Sequence, residues 1–122
     1  MLTTEKTRQV LIVDDNQQMA ACLEEMVTTL GRHCQSVFDG KSAIRELSKC
    51  NYELVIADTQ MPDMTGFDLL KHVRKRHPKV RVALISTTDS LRTQRIVLRD
   101  QPDFYLPKPF TSGDVAGLLA QV

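Results

Sequence analysis

The chain of 122 residues lacks the features that mark membrane, secreted and nucleic-acid-binding proteins. Its longest apolar run covers only residues 19–23, whereas a membrane-spanning helix needs about 20 residues. The first nine residues contain no apolar segment of the kind found in secretory signals. Lys and Arg number 16 against 15 Asp and Glu, and this net charge of +1 argues against a protein that mainly grips nucleic acid or anionic lipid.

Cysteine is scarce, and its spacing argues against a zinc site or a disulfide framework. Cys22, Cys34 and Cys50 are odd in number and form no C-x-x-C pair. Their neighbours are apolar or helix-forming, so we predict reduced, mostly buried thiols in a cytoplasmic protein. The chain also has no linker, repeat or low-complexity tract, and its length predicts a single domain.

Apolar, β-branched runs alternate with segments of helical periodicity along the whole chain. Strands are predicted at residues 10–13, 33–38, 54–57, 80–85 and 104–106. Helices are predicted at residues 19–30, 42–49, 67–77, 90–99 and 115–122. The first, third and fourth strands are continuous apolar runs, which is typical of strands covered on both faces. The pattern therefore predicts an α/β fold, with a doubly wound parallel sheet between two layers of helices.

Polar residues follow the strands at the points where they end. Because the strands of a parallel sheet all end at one edge, these residues should converge there although they are far apart in sequence. They are Asp14 and Asp15 after strand 1, Asp58 after strand 3, Ser86 and Thr87 after strand 4, and Lys108 after strand 5. Taken alone, residues 14–16 (Asp-Asp-Asn) could instead cap the first helix.

Three carboxylates at close range need a counter-charge, or one of them must take up a proton. A small set of hard oxygen ligands suits Mg²⁺, which often shares phosphate oxygens with the protein. Such an ion would leave one carboxylate able to attack phosphorus, while Lys and Ser or Thr bind the remaining phosphoryl oxygens. The pattern therefore predicts a phosphoryl group carried on an aspartate.

Four blocks of sequence in this order resemble the receiver domain of two-component response regulators, including the chemotaxis regulators. The blocks are residues 13–16 (Val-Asp-Asp-Asn), 58–66 (Asp-Thr-Gln-Met-Pro-Asp-Met-Thr-Gly), 86–87 (Ser-Thr) and 105–110 (Tyr-Leu-Pro-Lys-Pro-Phe). The resemblance covers residues 9–122 and implies a flavodoxin-like, five-stranded sheet of order 2-1-3-4-5. It also implies that residues 1–122 form one receiver domain, expected to be the N-terminal part of a longer protein.

The resemblance implies a role for each acidic position. Asp58 resembles the phosphorylated residue, whose carboxylate also takes part in metal binding. Asp15 resembles the direct Mg²⁺ ligand, Asp14 resembles the more water-mediated one, and Gln60 would offer its backbone carbonyl. Lys108 resembles the lysine that pairs first with Asp58 and then with the phosphoryl group.

The resemblance also implies a switch on the other side of the pocket. Ser86 resembles the switch hydroxyl, with Thr87 as the alternative, and Tyr105 resembles the aromatic residue that turns inward with it. The bond between Lys108 and Pro109 is expected to be cis. Residues 101–103 (Gln-Pro-Asp) depart from the Gly-Ala that often precedes strand 5, which leaves the shape of that loop open.

Two basic segments are interpreted as solvated helix faces. Residues 71–81 hold six Lys or Arg, two His and no acidic residue, but they contain no aromatic side chain for stacking on bases. Arg92, Arg95 and Arg99 on the fourth helix could border a partner surface, although a solvated face is the preferred interpretation. Direct binding of nucleic acid by this domain is not expected.

The resemblance implies a phosphorylation-activated signalling switch rather than an enzyme. A histidine kinase or phosphotransfer protein would phosphorylate Asp58 in a Mg²⁺-dependent step, and the face from strand 4 to helix 5 would change. The recipient would be a C-terminal output domain or a downstream protein, and homodimerisation on phosphorylation stays open. The alternative is a degenerate receiver that binds proteins without phosphorylation. A haloacid-dehalogenase-type phosphatase lacks its second Asp here, and a flavodoxin would not place two carboxylates in a phosphate-binding loop.

Overall fold

A computed structural model describes residues 9–86 and 91–122. The strands are β1 (Gln9–Val13), β2 (His33–Val37), β3 (Leu54–Asp58), β4 (Arg81–Ser86) and β5 (Phe104–Pro107). The helices are α1 (Gln17–Thr29), α2 (Gly40–Lys49), α3 (Gly66–Arg76), α4 (Leu91–Asp100) and α5 (Ser112–Leu119). Every strand and helix predicted from the sequence is present, with small shifts at the ends.

The strands form one parallel sheet in the order β2-β1-β3-β4-β5. β1 lies between β2 and β3, so that Ile12 is opposite Ser36 on one side and Ile56 on the other. The chain first adds a strand to one side of β1 and then continues on the other side, which opens a crevice at the carboxyl ends of β1 and β3. The predicted fold class and strand order are confirmed.

Alternate residues of the strands divide the core into two layers. One layer packs the sheet against α2 and α3, through Leu11, Val13, Val55, Ala57, Val82, Leu84, Ala43, Leu47, Phe67, Leu69, Leu70 and Val73. The other packs it against α1 and α5, through Val10, Ile12, Leu54, Ile56, Ala83, Ile85, Ala20, Leu23, Val27, Val115, Leu118 and Leu119. Each fully buried Leu, Ile or Val side chain contributes about 1.5–3 kcal/mol, so the three central strands form a firm platform for the residues at their ends.

Helix α4 differs from the other helices because none of its residues is buried. Ile96 and Val97 are half-buried against the α2–α3 layer, whereas Leu91 and Leu98 are 71% and 74% exposed. Arg92, Arg95 and Arg99 are exposed, in agreement with the predicted solvated face. Helix α4 is therefore held to the sheet by little apolar contact.

The junction between α4 and β5 is held by polar contacts instead. The guanidinium of Arg74 on α3 donates to the carbonyls of Asp100 and Gln101, where α4 ends. Gln101 has a φ of 48°, the left-handed conformation that often follows a helix. The carboxylate of Asp103 accepts a hydrogen bond from the backbone N–H of Val82 at 2.8 Å. Residues 101–103, whose shape the sequence left open, thus form an anchored turn.

The prediction of mostly buried thiols is wrong for two of the three cysteines. All three are free, but Cys22 and Cys50 are exposed and Cys34 is half-buried. Cys22 lies off the buried face of α1, which Ala20, Leu23 and Val27 form at helical spacing. Cys50 lies at the C-cap of α2, where the backbone is already extended.

Candidate functional site

Three carboxylates meet at the carboxyl edge of the sheet. Asp14 and Asp15 follow β1, Asp58 ends β3, and these two strands are paired neighbours. One carboxylate oxygen from each of the three lies within 4.8 Å of the others. Asp14 is only 2% exposed, Asp58 is half-buried and Asp15 is exposed. The structure therefore brings together the three acidic residues that the sequence singled out.

The cap of helix α1 is formed by Asn16 and not by the two acidic residues before it. The side-chain oxygen of Asn16 accepts hydrogen bonds from the backbone N–H groups of Gln18 and Met19, at 3.0 and 3.1 Å. Asp14 accepts a hydrogen bond from the N–H of Asn16 at 2.9 Å. The alternative reading of residues 14–16 as nothing more than a helix cap therefore accounts for Asn16 alone.

The environment of Asp14 disfavours its charge. Burial raises the pKa of this carboxyl above its ordinary value, and repulsion from Asp58 and Asp15 acts in the same direction. The N–H of Asn16 and the charge of Lys108 oppose the shift without cancelling it. Because the pKa is raised in the fold, the stability tied to this group is complete at low pH and is lost as the pH rises through the raised pKa.

The ammonium group of Lys108, the residue that follows β5, lies beside the cluster. The Nζ atom of Lys108 lies 3.2 Å from Oδ2 of Asp58, and both side chains are largely buried, with 13% and 14% exposed. The backbone N–H of Lys108 donates to the carbonyl of Ser86 at 2.7 Å, which ties the segment after β5 to the end of β4. The expected cis bond between Lys108 and Pro109 is present.

The loop from β3 to α3 is folded back tightly beside Asp58. Gln60 and Thr65 form an antiparallel bridge, and the N–H of Gly66 donates to the carbonyl of Thr59 at 2.9 Å. The N–H of Gln60 donates to Oδ1 of Asp58 at 3.0 Å. A Cβ atom at Gly66 would lie 2.5 Å from the carbonyl oxygen of Asp58, so only glycine allows this close return of the chain.

Two further predicted residues, Ser86 and Tyr105, lie on β4 and β5. Ser86 is the last residue of β4, is 2% exposed and is opposite Pro107 of β5. Thr87, the alternative switch hydroxyl, lies outside the described residues. Tyr105 is half-buried, packs against the α2–α3 layer, and its hydroxyl is buried with no hydrogen-bond partner among the described residues. The ring of Tyr105 therefore occupies an inward position.

Sequence reasoning missed one carboxylate near the site. Asp63, in the loop from β3 to α3, accepts hydrogen bonds from the backbone N–H groups of Gly40 and Lys41, both at 2.9 Å. These two groups belong to the first turn of α2, which a second acid, Asp39, caps by accepting from the N–H of Ser42 at 2.7 Å. No local sequence signal indicates the contact of Asp63, because its partners lie more than 20 residues away.

The chain matches the response regulator receiver domain family over residues 10–120. Transcriptional regulatory protein TctD of Salmonella typhimurium is 32% identical over 102 residues, which cover 84% of this chain and 46% of that protein. Chemotaxis protein CheY-3 of Vibrio cholerae is 29% identical over 120 residues, which cover 96% of this chain and 92% of that protein. The chain thus spans about half of TctD and nearly all of CheY-3.

Solved structures show the same fold. The Francisella response regulator 1452 receiver domain has a TM-score of 0.85 at 29% identity, over 94% of this chain and 95% of that one. Response regulator TrrA of Thermotoga maritima, solved in complex with Mg²⁺ and BeF, has a TM-score of 0.84 at 23% identity, over 94% and 98% of the two chains.

Among the described residues, no helix has both the length and the hydropathy that crossing a bilayer requires.

The family match, the strand order and the acidic cluster at the edge of the sheet all indicate the same family. The chain belongs to the response regulator receiver domain family, whose members act as signalling switches.

Proposed function

We propose that this receiver domain is switched by phosphorylation of Asp58, with a histidine kinase or a phosphotransfer protein as the donor and Mg²⁺ as the required ion. The observation that carries the proposal is the position of the Asp58 carboxylate. It belongs to the acidic cluster and lies 3.2 Å from the ammonium group of Lys108. A nucleophile, a site for a cation and a positive charge for phosphoryl oxygens are thus within reach of one another.

The donor set fits Mg²⁺. The carboxylates of Asp14, Asp15 and Asp58 would hold the ion, together with the backbone carbonyl of Gln60. All are hard oxygen donors, and three carboxylates with oxygens within 4.8 Å of one another favour a bound counter-charge. A bound Mg²⁺ ion would supply charge neutralisation for these carboxylates and for the incoming phosphoryl oxygens.

The transfer step follows from the contacts of Asp58. One of its carboxylate oxygens forms a new P–O bond while the P–N bond of the donor phosphohistidine breaks, and the released imidazole takes up a proton. The N–H of Gln60 and the ammonium of Lys108 each bind one carboxylate oxygen, which fixes the orientation of the nucleophile. After transfer, Lys108 is placed to bind a phosphoryl oxygen.

The added dianion would favour a second arrangement of the face from β4 to α5. The hydroxyl of Ser86 would donate a hydrogen bond to a phosphoryl oxygen, with Thr87 as the alternative, and the position of Tyr105 would follow. A change from about 1:99 to 99:1 between two arrangements requires about 5.5 kcal/mol of differential interaction. Two or three charge-assisted hydrogen bonds of about 1.5–3 kcal/mol each are of this size.

The output of the switch would lie in another domain or another protein. TctD is named as a transcriptional regulatory protein and CheY-3 as a chemotaxis protein, and the chain covers 46% of the first and 92% of the second. We place residues 1–122 in one receiver domain acting in the cytoplasm, where three free thiols would stay reduced. Homodimerisation of the phosphorylated form is left to the test below.

The test is incubation with acetyl phosphate and Mg²⁺, followed by intact-mass measurement. We expect the wild type to gain the mass of one phosphoryl group, and EDTA to prevent the gain. Asp58→Asn should gain nothing, because the amide is not a nucleophile toward phosphorus. Sedimentation of the protein with beryllofluoride and Mg²⁺ would report on dimerisation in the same samples.

The matched control is Asp103→Asn, an acid-to-amide change at the opposite edge of the sheet that keeps an acceptor for the N–H of Val82. This variant should be phosphorylated like the wild type. A folded wild type that gains no mass and binds no Mg²⁺ in a titration would contradict the proposal and favour the degenerate receiver.

A further inference from the structure

The loop from β3 to α3 is fastened at its tip as well as at its base. At the base, the bridge between Gln60 and Thr65 closes the loop next to Asp58. At the tip, Asp63 reaches the start of α2, which follows a different strand of the sheet. The segment that carries Gln60 is therefore held between two fixed points.

The contact at the tip is specific in shape and in charge. The two oxygens of Asp63 each accept one backbone N–H, Oδ1 from Gly40 and Oδ2 from Lys41, both at 2.9 Å. A Cβ atom at Gly40 would lie 2.4 Å from Cγ and Sδ of Met64, so the Met64 side chain occupies the space that a larger residue would need. Two consecutive loop residues thus interlock with two consecutive residues of α2.

The charge of Asp63 is well matched to this position. The first N–H groups of a helix have no partner within the helix and lie at the positive end of its dipole. Hydrogen bonds from Gly40 and Lys41 lower the pKa of Asp63 below its ordinary value, so its carboxylate is ionised at neutral pH. Ser42 donates to Asp39 instead, so Asp63 supplies the acceptors that Asp39 does not.

We propose that Asp63 is a positioning residue of the metal site, which fixes the loop carrying Gln60 against α2 and thereby sets the affinity of the acidic pocket for Mg²⁺. This inference rests on the proposed function, since it assigns to Gln60 a carbonyl ligand. Asp63 itself does not belong to the cluster of Asp14, Asp15 and Asp58. It acts through the backbone of residues 60–63 and not by contact with the ion.

The experiment compares Asp63→Ala with Asp39→Ala by Mg²⁺ titration in a calorimeter. Both changes remove a carboxylate from the start of α2, but only Asp63 connects that helix to the loop. We expect Asp63→Ala to weaken Mg²⁺ binding about tenfold, the lower end of the range seen when residues that position metal ligands are replaced. Asp39→Ala should stay within about twofold of the wild type, although it also destabilises the helix.

Two further variants keep the test informative if Asp63→Ala folds poorly. Asp63→Asn retains one good acceptor and should fall between the wild type and Asp63→Ala. Gly40→Ala leaves the carboxylate in place but displaces Met64, so it should weaken Mg²⁺ binding in the same direction. Urea unfolding of every variant reports stability separately from affinity.

Hydrogen exchange gives a second measurement that needs no metal. Asp63→Ala should speed exchange of the Gly66 amide, which closes the loop, whereas Asp39→Ala should not. Equal effects of the two variants on affinity and on loop exchange would overturn the proposal and leave Asp63 as an ordinary helix cap. If the wild type binds no Mg²⁺ while loop exchange still separates the variants, the proposed function fails and the support of the loop by Asp63 stands.

Discussion

Helices α4 and α5 flank β5 in the chain, but they are attached to the molecule in different ways. Helix α5 buries Val115, Leu118 and Leu119 in the core layer that it shares with α1. Helix α4 is of similar length and buries none of its residues, and two of its leucines are mostly exposed. At its carboxyl end, the guanidinium of Arg74 donates to the carbonyls of Asp100 and Gln101.

The comparison indicates which part of the molecule can move at low cost. The buried side chains of α5 share a core layer with residues of β1 and β3, so shifting α5 would expose apolar surface that also supports these strands. Shifting α4 would expose little apolar surface, and hydrogen bonds to water would replace the polar contacts at its end. The proposed switch residues Ser86 and Tyr105 lie on β4 and β5, the strands before and after α4 in the chain. A change at these residues on phosphorylation would therefore act on the less firmly held helix.

The largest expected difference between the two helices concerns leucine truncation. Leu118→Ala in α5 should lower the free energy of unfolding by about 2–5 kcal/mol, because Leu118 is 4% exposed and its loss leaves a cavity. Leu98→Ala in α4 should change it by less than about 0.5 kcal/mol, because this side chain is 74% exposed. Urea unfolding monitored by circular dichroism gives both values. Comparable losses from the two substitutions would remove the distinction between the helices.

A smaller difference is expected for the arginines that bind helix ends. Arg74 donates to carbonyls at the end of α4, and Arg81 donates to the carbonyl of Gln121 beyond α5 at 2.8 Å. Arg74→Ala should speed amide exchange in α4 about fivefold, the equivalent of about 1 kcal/mol, because no residue of that helix is buried in the core.

Arg81→Ala is the matched control for this measurement. It removes an exposed arginine with the same kind of acceptor, yet exchange in α5 should change less than about twofold, since buried side chains hold the helix. Fast exchange of α5 in Arg81→Ala would show that α5 also depends on polar contact at its end, and unchanged exchange of α4 in Arg74→Ala would show that α4 does not. Either result would contradict the comparison.

The smallest effect is expected from salt. Arg99 in its ion pair with Asp100 and Arg74 are exposed arginines, so raising NaCl from about 0.1 M to 1 M should weaken their contacts. Amide exchange in α4 should quicken by less than about twofold. The urea midpoint should not fall, and amide exchange in α5 should not quicken. If high salt slowed exchange in α4, apolar contact and not charge would dominate its attachment.

The sequence predicted the sheet and the acidic cluster because both depend on local patterns. Continuous apolar runs identified β1, β3 and β4, and the position of Asp14, Asp15, Asp58 and Lys108 just past strand ends was enough to bring them together. The exact role of each of these residues remains a prediction, since geometry alone does not assign chemistry.

The contacts that sequence reasoning could not find are those made by loops and helix ends across the fold. Asp63 bonds to residues 22 and 23 positions away, and Arg74 bonds to residues 26 and 27 positions away. Neither residue stands in a periodic pattern, so their partners are fixed only by the tertiary arrangement. The exposed thiol of Cys22 has a similar origin, because apolar neighbours in sequence did not reveal which face of α1 is buried.

The cap supplied by Asn16 has a consequence for how variants of the neighbouring acids should be understood. Since Asn16 alone starts the first helix, the side chain of Asp15 is free of any structural duty there. Replacing Asp15 removes a charge without removing a helix start, so a loss of Mg²⁺ binding in an Asp15 variant would report on the lost carboxylate and not on a damaged scaffold. At Asp15 the acidic edge can therefore be altered while the framework beneath it stays intact, whereas Asp14 and Asp58 also bond to the backbone beside them.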